Sequence, residues 1–274
     1  MTAGRQRASR RVMAATGGLG GLFSGLTGVG GGAMMVPLMT GVLKMRQHAA
    51  HGTSLVVIVF AAAAGAATYI VHDGVDWLLV GMLLAGSIAG AYSGARLVQL
   101  LPAMRLRQCF GLFLLAVGMR LVLFHNVEPL LATSGASHWA AAMGIGLAGG
   151  LSAGALGVGG GAIFVPGLVI LLGTGQHQAQ AASLDVIIVT ACVGAATHYQ
   201  HGSVDLGTAR WLVPAAVPAG IGGALLASAL DATVLQAIFA VVVLGVGAQM
   251  FLTATRSLRQ GVALTTPTIE ASEA

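Results

Sequence analysis

Apolar residues run through this chain in long blocks, interrupted at intervals by short clusters of Gly, Pro, His and Asp. The blocks do not alternate: "SLVVIVFAAAAGAATYIV" at 54–71 is apolar on every face. Strands of a membrane barrel would alternate polar and apolar positions, so the pattern predicts helices. The breaks divide the chain into ten segments. The first five span about 11–28, 33–43, 47–71, 76–100 and 103–124, and the second five about 138–157, 162–172, 176–200, 205–229 and 232–254. Most approach the roughly 20 residues needed to cross a hydrocarbon core of about 30 Å. The second segment of each set, with about 11 residues, reaches only roughly 16 Å and is predicted to be a half-helix.

Composition sharpens this into a membrane protein. Of 274 residues, 56% are hydrophobic and 8% charged, against about 25% charged in soluble domains. Lipid requires backbone groups to pair within the segment, which helices do. The predicted fold class is an all-α polytopic membrane protein. The net charge of +5 comes from basic residues near helix ends, which read as topology signals and not as a nucleic-acid surface. Cys109 and Cys192 fall within predicted helices and suggest neither a disulfide framework nor a metal site. The basic start "MTAGRQRASRR" is like the n-region of a signal peptide. The glycine-rich segment after it flows into a repeat, so it reads as an uncleaved first helix. The C-terminal "TTPTIEASEA" reads as a disordered tail.

The chain repeats itself. "GLTGVGGGAMMVP" at 25–37 returns as "GALGVGGGAIFVP" at 154–166, an offset of 129. The same offset matches Gln47-His48 with Gln176-His177, Ser54-Leu55 with Ser183-Leu184, "HDGVD" at 72–76 with "HGSVD" at 201–205, and Gly94-Ala95 with Gly223-Ala224. One register held over so long a span indicates an internal duplication. The organisation predicted is a basic N-terminus at 1–10, repeats at 11–124 and 138–254, a linker at 125–137 and a tail at 255–274.

Five segments per repeat is an odd number, which permits inverted topology. Arg5, Arg7, Arg10, Arg11, Lys44, Arg46, Arg96, Arg105 and Arg107 mark one set of ends in the first repeat. The matching turns of the second repeat lack Lys and Arg, whereas Arg210, Arg256 and Arg259 mark the alternate ends. By the positive-inside rule the repeats are inverted and both termini are cytoplasmic. Whether the first two segments of each repeat form a re-entrant hairpin or two crossings is open at this stage.

Inverted repeats with broken helices are a transporter pattern, with substrate bound where the repeats meet. Gly30, Gly31 and Gly32, and their matches Gly159, Gly160 and Gly161, suit a backbone anion nest at the positive end of a short helix. The implied substrate is a small anion, and no cofactor or metal is implied. The structural alternative is close helix packing, which better explains Gly86, Gly90 and Gly94. Ser54 and Ser183 sit in the first turns of the third segments, where a hydroxyl serves an oxyanion or bonds back to a helix carbonyl. His72/Asp76 and His201/Asp205 form either a gate or turns with a capping Asp. Asp185 lies inside an apolar run where its match is Val56. It is a candidate for coupling to protons, or else a partner of His198 or Arg210.

A first helix ending in G-x-G-G-G, a short segment with Pro, and "A-x-G-T-S-L" at Ala50–Leu55 together resemble the TauE/SafE sulfite exporter family, within the 4-toluene sulfonate uptake permease group. "HDGVD" at 72–76 and "GARL…LP" at 94–102 are similar too. The resemblance implies a bacterial inner-membrane transporter of sulfite, sulfonates or related sulfur anions, with a homodimer as one assembly open to it. In the second repeat "A-x-G-T-S-L" becomes Ala179–Leu184 with Ala181-Ala182 in place of Gly-Thr, a departure from the pattern. The alternatives are a passive anion or solute channel and an intramembrane enzyme. No catalytic constellation supports the enzyme.

Overall fold

The computed structural model describes residues 9–72, 74–100, 103–123, 135–156 and 160–265, with backbone alone for 94–100, 103–104, 106–107, 154–156 and 256–265. The described residues fold into helices without strands. They are α1 (Arg10–Thr27), α2 (Gly32–Gly41), α3 (Gln47–His72), α4 (Trp77–Leu100), α5 (Ala103–Leu123), α6 (Ala136–Leu156), α7 (Gly161–Leu172), α8 (Gln176–Gln200), α9 (Leu206–Ala229) and α10 (Ala232–Thr265). Four of these, α3, α8, α9 and the Ala232–Thr255 part of α10, are long and apolar enough to cross a membrane. The sequence pattern places nearly every boundary within two residues. The exception is α10, which runs on to Thr265 instead of ending near 254. No Pro interrupts "RSLRQGVALT", and its residues other than Gly are acceptable helix formers.

Small residues set the main helix pairs. Gly17, Gly21 and Gly25 of α1 lie against the backbone of Leu212, Ala216 and Gly220 of α9, in that order, so the two helices run in the same direction. Gly86 and Gly90 of α4 meet the backbone of Met143 and Leu147 of α6 in the same way, and Gly146 and Gly150 of α6 return the contact to Leu83 and Ser87. Each half therefore lends its first helix to the fourth helix of the other half. Lipid offers no hydrophobic force between helices, so close backbone approach supplies the dispersion contacts instead.

The central pair is α3 with α8. Gly52, near the start of α3, lies beside His198, near the end of α8, so these helices are antiparallel. Close by, the Thr53 hydroxyl accepts the Asp205 amide at 2.9 Å, which places the starts of α3 and α9 at one end of the molecule. The path of α1 and α2 follows. Met35 of α2 folds back on Gly20 of α1, and Met39 is buried with Ala50 and Leu212 near the starts of α3 and α9. The two segments form a hairpin that enters from one end and returns to it.

Charge is divided between the ends. Arg10, Lys44, Arg46, Arg105 and Arg210 all lie at the end where α1 begins, and among the described residues Arg120 is the one cation near the opposite end. The Trp211 ring sits between the guanidinium groups of Arg10, at 4.6 Å, and Arg210, at 5.4 Å. An indole flanked by cations at helix starts suits a membrane–water interface.

Candidate functional site

The two glycine breaks meet at the centre. A Cβ on Gly161 would stand 2.7 Å from the Val29 Cα and 2.9 Å from the Gly28 carbonyl oxygen. Gly30 packs on Ile187, with Ile58 behind it; these isoleucines are matched by the 129-residue offset. Gly28, Gly30, Gly31, Gly32, Gly160 and Gly161 are all buried. Gly159 lies outside the described residues.

The copies do not share one backbone shape. Gly28 ends α1 at φ 68°, and Gly30 and Gly31 follow at φ 87° and 71°. These left-handed values are where glycine is needed. Gly160, the match of Gly31, stands at φ −81° and ψ −12°, an ordinary helical conformation, and glycine is required there by the close approach of the Phe164 ring and the Gly149 carbonyl. The two breaks therefore differ at this position, where the second has a helical Gly160.

Beside the first break lies a cavity of about 570 Å³. It reaches Gly32 and Ala33, runs along Pro37 and Thr40 of α2, and is closed by α10. Its polar lining comes from Thr40, Gln47, His51, Gln249 and Thr253, with neither Asp nor Glu among the lining residues. Amides in a helix's first turn have no carbonyl four residues back to bond. Gly32 and Ala33 thus bring the positive end of α2 to the cavity wall. Met45 is among the lining residues, and its sequence neighbours Lys44 and Arg46 are exposed. Sequence reasoning missed Lys44. It is the only non-glycine residue with positive φ, at 51°, among those described. Its match, Gly173, takes φ 67°, so the left-handed turn recurs and only the first copy carries a cation in it.

The serines are engaged with backbone. The Ser54 hydroxyl donates to the His51 carbonyl at 2.9 Å, within its own helix, while Ser183 donates across to the Gly28 carbonyl at 2.7 Å. A hydroxyl has one proton, so in this conformation neither offers it to an anion. Asp185 does not join the site. On α8, Gln180, Ser183 and Ile187 face Gly28 and Gly30, and at about 100° per residue Asp185 falls on the opposite side. One of its carboxylate oxygens is buried without a partner. The suggested pairing with His198 is corrected, because 13 residues of helix put the two about 20 Å apart. Arg210 is exposed against Trp211.

The two turns behave as caps. Asp76 accepts the Leu78 and Leu79 amides at 3.0 and 3.1 Å. Asp205 accepts the Thr208 amide at 3.1 Å and its hydroxyl at 2.9 Å. His72 and His201 each bond through Nδ1 to a carbonyl one turn back, Thr68 at 2.9 Å and Thr197 at 2.7 Å.

Known proteins agree with a transporter. "Probable membrane transporter protein YunE" of Bacillus subtilis is 26% identical over 262 residues, covering 87% of this chain and 96% of that protein. "Probable membrane transporter protein YdhB" of the same organism is 29% identical over 189 residues, 68% and 77% of the two chains. A "Probable membrane transporter protein" of Xylella fastidiosa (strain Temecula1) is 26% identical over 245 residues, 86% and 92%. No solved structure matches significantly. The family described as "Sulfite exporter TauE/SafE" matches residues 2–121 and 142–272, nearly the whole chain. On that match, joined to the apolar helices and the paired glycine breaks, the chain belongs to the TauE/SafE family of membrane transporters.

Proposed function

We propose that this transporter carries a small sulfur-containing oxyanion, such as sulfite or an organosulfonate, across the bacterial inner membrane. The anion docks where the cavity meets Gly32 and Ala33 at the start of α2. The observation that carries this reading is the cavity itself: it has neutral donors, no carboxylate and a helix N-terminus at its wall, and exposed Lys44 and Arg46 flank its lining residue Met45 in sequence. Cations beside a cavity concentrate anions and repel other cations. The family description speaks of sulfite export, which supports sulfite as the first candidate.

Two five-helix repeats of opposite orientation are part of this reading. The antiparallel contact of α3 with α8 supports it, as does the concentration of basic residues at the end where α1 begins. The positive-inside rule makes that end, and both termini, cytoplasmic. The cavity then faces the cytoplasm.

Purified protein in a thermal-shift panel with sulfite, sulfate, thiosulfate and several sulfonates tests the substrate class. Selective stabilisation by one sulfur anion is expected, growing with concentration by mass action. Equal shifts with chloride and with every member of the panel would overturn the reading.

A further inference from the structure

The 129-residue offset that relates the two halves also pairs the residues lining this cavity with a second set, most of whose described members on α7 and α8 are buried. On the first side Gly32, Gln47 and His51 line the cavity, with Gln249 of α10 across from them. The matched positions are Gly161, Gln176, Gln180 and, on α5, Arg120. There the helices are packed shut. Gly161 is buried, Gln176 is 4% exposed and Gln180 is 0% exposed.

The shut side is left with unmet polar groups. Neither Oε1 nor Nε2 of Gln176 has a hydrogen-bond partner, nor does Nε2 of Gln180. The Gln180 Oε1 lies 2.6 Å from the Tyr69 hydroxyl, which also lies 3.0 Å from the Gly25 carbonyl. A phenol carries one proton and donates to one of these oxygens at a time. Turning the amide over satisfies its nitrogen but strands its oxygen. In either orientation buried amide atoms go unmet, and this conformation bears the penalty. Apolar residues of the same length would avoid the unmet atoms, so beyond the Tyr69 contact these amides add a penalty to the packed state.

Arg120 is the second observation. It is half-buried, and its matched residue lines the open cavity. A guanidinium fork and amide N–H groups are donors suited to an oxyanion. We propose that Gln176, Gln180 and Arg120 form a second anion-contact station, shut in this conformation, that opens to the opposite end when α7, whose Phe164 packs on Gly149 of α6, withdraws and the cavity beside α2 closes. The inference rests on the oxyanion-transport reading and adds the residues that receive or release the anion at the far face.

The test uses the full chain in proteoliposomes, with Cys109→Ser and Cys192→Ser as background. Single cysteines replace Thr40 and Gln180, and a membrane-impermeant maleimide is applied to each face in turn. Position 40 should label from the Arg-rich face and position 180 from the other face alone. Failure of position 180 to label from that face overturns the station. Separately, the double variant Gln176→Met/Gln180→Met should keep or raise Tm while sulfite and methanesulfonate flux falls at least tenfold. A lowered Tm, or flux retained, overturns it. Labelling does not depend on the substrate's identity. Correct labelling without transport of either anion by the unsubstituted protein sinks the sulfur-anion reading and leaves the station standing. Transport without labelling at 180 sinks the station and leaves that reading standing.

Discussion

The Ser183 hydroxyl donates to the Gly28 carbonyl at 2.7 Å, so the second half of the chain holds the glycine break of the first. Ser54, at the matched position, donates to His51 one turn back on its own helix. Equivalent residues thus do unequal work. Ser183→Ala strands a buried carbonyl and should cost about 1–2 kcal/mol. Ser54→Ala leaves a carbonyl that still has its helical partner and should cost less than about 0.5 kcal/mol. Equilibrium unfolding of the two variants in detergent measures the difference, and equal losses would deny the cross-repeat bond its role.

The contact of the two breaks makes a second prediction. Gly161→Ala places a methyl 2.7 Å from the Val29 Cα, where backbone and not a flexible side chain must yield. A loss of about 1–3 kcal/mol is expected, as for overpacking of a filled core. Gly41→Ala meets nothing within 4 Å and should stay within about 0.5 kcal/mol of the parent. Thermal unfolding of both variants, with flux measured alongside, checks the pair.

Lys44 separates stability from function. Lys44→Gly relieves a left-handed backbone and should raise stability by roughly 0.5 kcal/mol, after the greater freedom of the unfolded chain is counted. It also removes the cation next to Met45, a lining residue of the cavity. Anion KM should rise about threefold at low ionic strength, with the gap closing as salt screens the charge. A KM unchanged at low salt would show that Lys44 does not guide the substrate.

Asp185 is proposed to couple protons from outside the anion path. Asp185→Asn should leave sulfite binding within about twofold, because the residue faces away from the breaks, and should abolish the response of flux to an imposed pH difference. Flux in proteoliposomes with and without a pH step gives the answer. A variant that responds as the parent does removes Asp185 from coupling.

Helix boundaries, the half-helices and the duplication were legible because each leaves a local mark: apolar length, a Gly or Pro break, or a repeated motif. What the glycines do was legible only in part. "GVGGGA" occurs twice with the same letters, yet Gly31 is left-handed and Gly160 is helical. The difference arises from what packs around each copy, which no window of sequence contains. The choice between hairpin and crossing was hidden for the same reason. It is decided by Met35 on Gly20 and by Met39 beside Leu212, contacts between distant segments. The bonds of Ser183 and Tyr69 run 155 and 44 residues along the chain. The apolar pattern cannot register them.

The exchange of first helices between halves bears on how the protein is made. Residues 10–27 leave the ribosome well before the surface they pack on, α9, is made. A chain that folds from its N-terminus as it grows must hold the bare glycine groove of α1 in waiting until residues 206–229 are made. Seating the first hairpin is then a closing step of biogenesis. Any chain cut short before residue 229 displays that unfilled groove to the machinery that removes faulty membrane proteins.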